Sequence, residues 1–165
     1  MAFKITRVGH LVLRVKDVER SRRFFEAVLG FPVVGTNERG MVFFSTDVKD
    51  NHHMLAIMPA KPGVQMPTAD QVGMQHVSFE LGNFAELQDA WRVFKQHGVK
   101  IERTVYHGIT KSIYFHDPDG NVLEVYCNVP EDEYRKSAPN PYSRYGAIED
   151  ELDGKVPQKA GTVAP

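Results

Sequence analysis

The order of apolar stretches, caps and turns between Val8 and about Met58 recurs between Gln75 and Cys127. This duplication constrains the fold more than any other feature of the chain. The first copy opens on Val8-Gly9-His10-Leu11-Val12-Leu13 and continues with Asp17, whose short polar side chain suits an N-cap. A helix is expected from there to about Leu29, with Val18, Phe24, Phe25, Val28 and Leu29 sharing one face at helical spacing. Gly30 suits its C-cap and Pro32 blocks its continuation. Three extended stretches follow, near Phe31–Val34, Met41–Ser45 and His53–Met58. The second copy has Gln75-His76-Val77-Ser78-Phe79-Glu80-Leu81 as its first strand and Asn83 as the cap of a helix to about His97. Its extended stretches lie near Val99–Val105, Ser112–His116 and Val122–Cys127. Each half therefore reads β-α-β-β-β. Two copies mean paired modules rather than a solenoid, and His10 and His76 hold the same place in them, 66 residues apart.

Strand side chains alternate between faces. Counting by two places Leu11, Leu13 and Val15 under the first helix, and Val77, Phe79, Leu81, Leu123, Val125 and Cys127 under the second. The opposite face gathers His10, His76, Ser78, Tyr114 and Glu124. A sheet curled around that face encloses a polar-lined cavity. The expected fold is thus α+β: two βαβββ modules forming a curled mixed sheet around a cavity, with helices outside. Residues 1–129 make the domain, with modules at about 5–60 and 73–128, and 130–165 form a polar extension. That extension has five prolines and no apolar periodicity, and is read as an extended or solvated arm.

Composition narrows the setting. A formal charge of −1 gives no pull toward nucleic acid or an anionic membrane. No apolar run approaches the roughly 18 residues needed to span a bilayer, and the first ten residues lack the apolar stretch of a signal peptide. The single cysteine excludes an intrachain disulfide and suits a reducing cytoplasm. On the helix side of its strand it is a core residue, not a ligand.

Two histidines and a carboxylate on one face are the ingredients of a non-haem Fe(II) facial triad. One half-buried strand histidine is more often structural; equivalent placement in two repeats is what sets His10 and His76 apart. His97, at a helix end, and His116, at a turn, take structural readings.

The segment from Val105-Tyr106-His107 through Ile113-Tyr114-Phe115-His116-Asp117-Pro118-Asp119-Gly120-Asn121-Val122-Leu123-Glu124 closely resembles the signature of type I extradiol ring-cleaving dioxygenases. The stretch from about residue 5 to 128 resembles the wider vicinal-oxygen-chelate superfamily, including His-Leu-Val-Leu, Phe-Phe-Glu-x-Val-Leu-Gly-Phe and Gln-His-Val-Ser-Phe. The Asp-Pro-Asp-Gly-Asn turn is common across that superfamily, whereas His107 and Tyr114 at their spacing from Glu124 narrow the resemblance to extradiol cleavage. The resemblance implies His10, His76 and Glu124 as ligands of Fe(II), with Mn(II) an alternative that the same donors accept. It implies His53 as the acid/base, with His52 its substitute, since the Met58–Gln75 loop is longer than expected. His107 and Tyr114 would hydrogen-bond the substrate oxygens. The implied substrates are a catechol-type molecule and O2, and assembly into a homo-oligomer is common among relatives of this kind.

Two rivals follow from the same resemblance. A glyoxalase-type isomerase or lyase often takes a fourth ligand from the last strand of the first module. Here that position falls near Leu55–Met58, where no hard ligand stands. A metal-free small-molecule binding protein needs a pocket but no ligand set, so retention of all three ligand candidates argues against it.

Overall fold

A computed structural model describes residues 3–65, 68, 72–137, 140 and 142–155. It divides into two compact units, residues 1–68 and 69–165. Part of the Met58–Gln75 loop, at 66–67 and 69–71, and the end of the tail from 156 lie outside the described residues.

The first unit contains β1 (Leu11–Val15), α1 (Val18–Ala27), β2 (Val33–Thr36), β3 (Val42–Phe44) and β4 (Leu55–Pro59). Asp17 caps α1 by accepting from Arg20 N at 2.9 Å. The sheet order is β1-β4-β3-β2, with β1 and β4 parallel and the other pairs antiparallel. A parallel neighbour needs a crossover, which α1 and the two strands after it supply. Leu13, Val15, Phe44, Leu55 and Ile57 are buried with Phe25 of α1, whose ring centroid lies 5.6 Å from that of Phe44. The buried centre of α1 is narrower than the apolar stripe in its sequence. Only Ser21 and Phe25, one turn apart, are fully buried.

The second unit repeats the plan with β5 (Val77–Leu81), α2 (Phe84–Gln96), β6 (Ile101–Tyr106), β7 (Thr110–His116) and β8 (Val122–Asn128), in sheet order β5-β8-β7-β6. Asn83 caps α2 by accepting from Glu86 N. Leu87, Trp91 and Phe94 of α2 are buried with Ile113, Phe115, Leu123, Val125 and Cys127. The Cys127 thiol is in the core, where burial pushes its pKa up. Both units are mixed α+β sheets built on β-α-β-β-β, as the duplication implies.

The β7–β8 turn is closed by Asp117, whose Oδ1 accepts from Asp119 N at 2.9 Å and Asn121 N at 2.8 Å. Its Oδ2 accepts from the Asn121 amide at 2.8 Å. Gly120, at φ +92°, turns the chain into β8. This turn fixes the β7–β8 register, which pairs Tyr114 with Glu124.

Two differences from the sequence reading have physical causes. His10 and His76 each stand one residue before their strands, because the parallel ladders begin at Leu11↔Leu55 and Val77↔Leu123. Their backbones are therefore outside the ladder. The polar tail is not a solvated arm through its described length. Glu131–Ser137 forms α3 and Glu149–Leu152 forms α4, and Ile148 and Leu152 are each only 2% exposed. Two apolar residues four apart were too few to register as a periodic pattern, yet they bury against this unit.

Among the described residues no helix is long and apolar enough to cross a membrane. Replacing Leu152 by Ala should destabilise the protein by about 2–5 kcal/mol in urea denaturation, the usual cost of truncating a buried leucine. A solvated tail would make the change neutral.

Candidate functional site

In the second unit the ladders converge on Glu124. The parallel β5–β8 register places Ser78 beside it on one side, and the antiparallel β7–β8 register places Tyr114 on the other. Glu124 is 6% exposed and Tyr114 is 4% exposed. Ser78 Oγ donates to Glu124 Oε2. The same oxygen lies 3.2 Å from His76 Nε2. Burial would raise the Glu124 pKa, but the hydroxyls of Ser112, Ser78 and Tyr114, aided by His76, outweigh it and hold the carboxylate below its ordinary value. The group is thus kept ionised inside the protein.

Tyr114 in turn faces His107, whose Nε2 lies 3.2 Å from the phenol oxygen. The His76 ring meets Tyr114 edge-on at 5.2 Å, and the Arg103 guanidinium carbon sits 3.8 Å from the Tyr114 ring centre. Burial first, then hydrogen bonding to and the charge of Glu124, push the Tyr114 pKa up to about 12 against the opposing effect of Arg103. His107 is lowered, first by burial and then by Arg144 and Arg103. Glu124 and the Ser143 backbone carbonyl, an acceptor for the ring N–H, work the other way. Near neutral pH the pair is a phenol and a neutral imidazole, two polar groups without net charge.

In the first unit, His10 and His53 stack with centroids 4.6 Å apart. The Leu11 amide donates to Met54 O at 3.1 Å, and Asn51 Nδ2 donates to Gly9 O at 2.6 Å, so the two histidine segments are stitched at the same end of the β1–β4 pair. His53 is half-buried with Phe43 against its ring at 5.2 Å, whereas His52 is exposed. Their Nδ1 atoms are 2.6 Å apart. Burial, followed by the charges of His10 and His52, lowers the His53 pKa.

The structure therefore brings His76 to Glu124 and His107 to Tyr114 in one unit, and His10 to His53 in the other. Among the described residues no three His, Cys, Asp or Glu side chains form a group that could hold a metal ion. The His76–Glu124 pair nevertheless fits one edge of a metal site. Two ligands bound at right angles at about 2.1 Å each put their donor atoms about 3 Å apart, close to the 3.2 Å seen. His76 Nδ1 is buried without a hydrogen-bond partner among the described residues. It lies on the other side of the ring from that edge, where the non-ligating nitrogen of a metal-bound histidine ordinarily donates to an outer partner.

Period-2 counting had already put Ser78 on this face, but nothing in the sequence singled out its bond to Glu124. Arg103 was missed because its register depends on the β6–β7 irregularity between Ile101 and Arg103. Cys127, read as a core residue, is one.

The family model for the Glyoxalase/Bleomycin resistance protein/Dioxygenase superfamily matches residues 7–125. Biphenyl-2,3-diol 1,2-dioxygenase 3 of Rhodococcus globerulus is 32% identical over 120 residues, covering 72% of this chain and 62% of that protein. Catechol-2,3-dioxygenase of Bacillus subtilis is 28% identical over 138 residues, covering 83% of this chain and 47% of that one. The chain thus spans less than two thirds of the length of either relative. The crystal structure of a glyoxylase/bleomycin resistance protein/dioxygenase domain from Frankia sp. EAN1pec superposes with a TM-score of 0.65 at 17% identity, covering 76% of this chain and all of that one. That likeness concerns the fold alone.

In metal-free protein, His53 should titrate below 6.5 by NMR, and His10→Asn should move it part of the way back. Between the two pKa values the unfolded chain binds more protons at His53 than the folded one. Its contribution therefore makes stability fall as pH drops below 6.5.

Proposed function

The chain belongs to the Glyoxalase/Bleomycin resistance protein/Dioxygenase superfamily, and within it we propose that it is an Fe(II)-dependent extradiol dioxygenase opening the ring of a catechol-type substrate with O2. The observation that carries this reading is the Glu124 cluster: an ionised, hydroxyl-held carboxylate beside His76 Nε2, with the Tyr114–His107 pair adjoining it. The dioxygenase names of the relatives agree with it. In this reading His76 and Glu124 hold the metal together with His10, which is assigned from its equivalent place in the repeat. Fe(II) when bound would lower the pKa of a coordinated catechol and accept O2 beside it, and Mn(II) suits the same donors.

The protein's own groups divide the remaining work. Glu124 arrives already ionised, so binding a cation requires no proton release from it. Tyr114, still protonated at neutral pH, and neutral His107 offer hydrogen bonds to the substrate oxygens without adding charge to the site. Those bonds orient the two hydroxyls of a catechol. His53, neutral at pH 7 and within reach of protonation, takes up a proton and returns it during ring opening. Its partners Phe43 and His10 hold the ring in one orientation. The reaction partners are a small catechol-type molecule and O2. We further assign the enzyme to the cytoplasm as an assembly of several copies.

The test is oxygen uptake by anaerobically Fe(II)-loaded protein given catechol and biphenyl-2,3-diol, with the ring-opened product followed by its colour. Uptake matched by product should vanish in His76→Ala and Glu124→Ala. It should fall about 10²–10⁴-fold in kcat for His53→Ala, the range for losing an acid/base group. No uptake across a panel of catechols, with metal content verified, would replace the dioxygenase by an isomerase or lyase of the same family.

A further inference from the structure

The described strap from Tyr142 to Lys155 lies beyond the family match, which ends at residue 125. It nonetheless reaches the functional face. Strand β6 is the edge of its sheet, so its outer backbone groups have no strand partner there. The strap covers that edge where it matters. Tyr106 N donates to Gly146 O at 2.9 Å, and Tyr145 N donates to Tyr106 O at 2.8 Å, an antiparallel bridge. The Tyr145 ring packs on Tyr106 at 5.6 Å, and Ile148 N donates to Thr104 Oγ1 at 3.0 Å.

Beyond the bridge the strap is anchored at several points. Ile148 and Leu152 are buried. Gln88 Nε2 of α2 donates to Glu151 O at 2.8 Å, and Trp91 Nε1 donates to Asp153 Oδ1 at 2.7 Å. Lys95 and Lys111 add ion pairs to Asp153 at 2.6 Å and Glu151 at 2.7 Å. A bare edge cover would need none of this.

The residue after Tyr106 is His107. Its backbone is held on the β7 side, donating to Thr110 O at 2.8 Å. Its ring faces Tyr114, Nε2 to phenol oxygen at 3.2 Å, and the strap residues Ser143 and Arg144 lie near enough to act on its charge. We propose that the strap is a working part of the site, its Tyr145 and Gly146 bonds to Tyr106 fixing the backbone that carries the His107 imidazole against Tyr114. Its catalytic meaning rests on the dioxygenase reading; the positioning itself does not.

The test uses the full chain carrying Gly146→Ala or Ile148→Ala. Gly146 has φ +126° and open space where a Cβ would stand, so alanine there strains the bridge without a clash. Ile148→Ala loosens the anchor instead. Tryptic cleavage after Arg144 reports release of the strap. In metal-free, isotope-labelled protein the His107 ring resonances, assigned by their loss in His107→Gln, should shift with release, while those of His76 stay in place. Mn(II) affinity by calorimetry should be unchanged, because the strap touches neither His76 nor Glu124. With Fe(II) and biphenyl-2,3-diol, kcat should fall about tenfold, a fraction of what full loss of one hydrogen-bond donor to the reacting oxygens costs.

Strap release with unmoved His107 resonances would overturn the proposal. So would a kcat loss no larger than that of Phe25→Leu, a core change in the first unit. If the wild-type enzyme turns over no catechol, the dioxygenase reading fails, and the His107 resonances still decide whether the strap positions the ring.

Discussion

Each unit is organised by the parallel pairing of its first and last strands. Such a pair cannot be made by a tight turn; it needs a crossover, and here the helix and the two intervening strands provide it. The pairing has two results at once. It buries one face of the sheet under the helix, and it fixes which residue of the last strand lies beside which residue of the first. In the second unit that register brings Ser78 to Glu124, and the hairpin from β7 adds Tyr114 from the opposite side. A slip of one residue would turn Glu124 into the core beneath α2, where a carboxylate has no partner. The chemistry of the face and the packing of the core therefore depend on the same backbone hydrogen bonds.

A buried carboxylate held as an anion is costly unless hydroxyls and a cation or metal share the charge. The surroundings of Glu124 meet that need with hydroxyls from β5 and β7 and with His76, just ahead of β5. Tyr114 experiences the same environment in reverse. The charge that is stabilised on Glu124 opposes ionisation of the phenol beside it, so the cluster contains one negative charge rather than two. Arg103 packs its planar head on the Tyr114 ring and tempers this effect without removing it.

Much of this was legible in the residues. Period-2 alternation sorted the core from the functional face, and Asp17 and Asn83 marked the helix starts at which the structure begins α1 and α2. The repeat gave the element order of both units. What sequence pattern did not carry was interaction between elements distant in the chain. Ser78 could be placed on a face, but its bond to Glu124 depends on a strand 46 residues later. The tail was misread for a related reason. Ile148 and Leu152 have few apolar neighbours in sequence, and their burial comes from the sheet and helix they meet rather than from a stripe of their own. The proposed grouping of His10 with His76 and Glu124 comes from the equivalent places of the two histidines in the repeat.

Cys127 gives the buried side of the sheet a further meaning. It is the one cysteine of the chain, its thiol is in the core, and burial keeps it protonated. Oxidants and other sulfurs react with exposed thiolates, not with enclosed thiols. The folded chain thus presents no sulfhydryl for disulfide exchange between molecules and no thiolate for peroxide. In the proposed dioxygenase, the helix-covered face would act as chemical shielding as well as structural support.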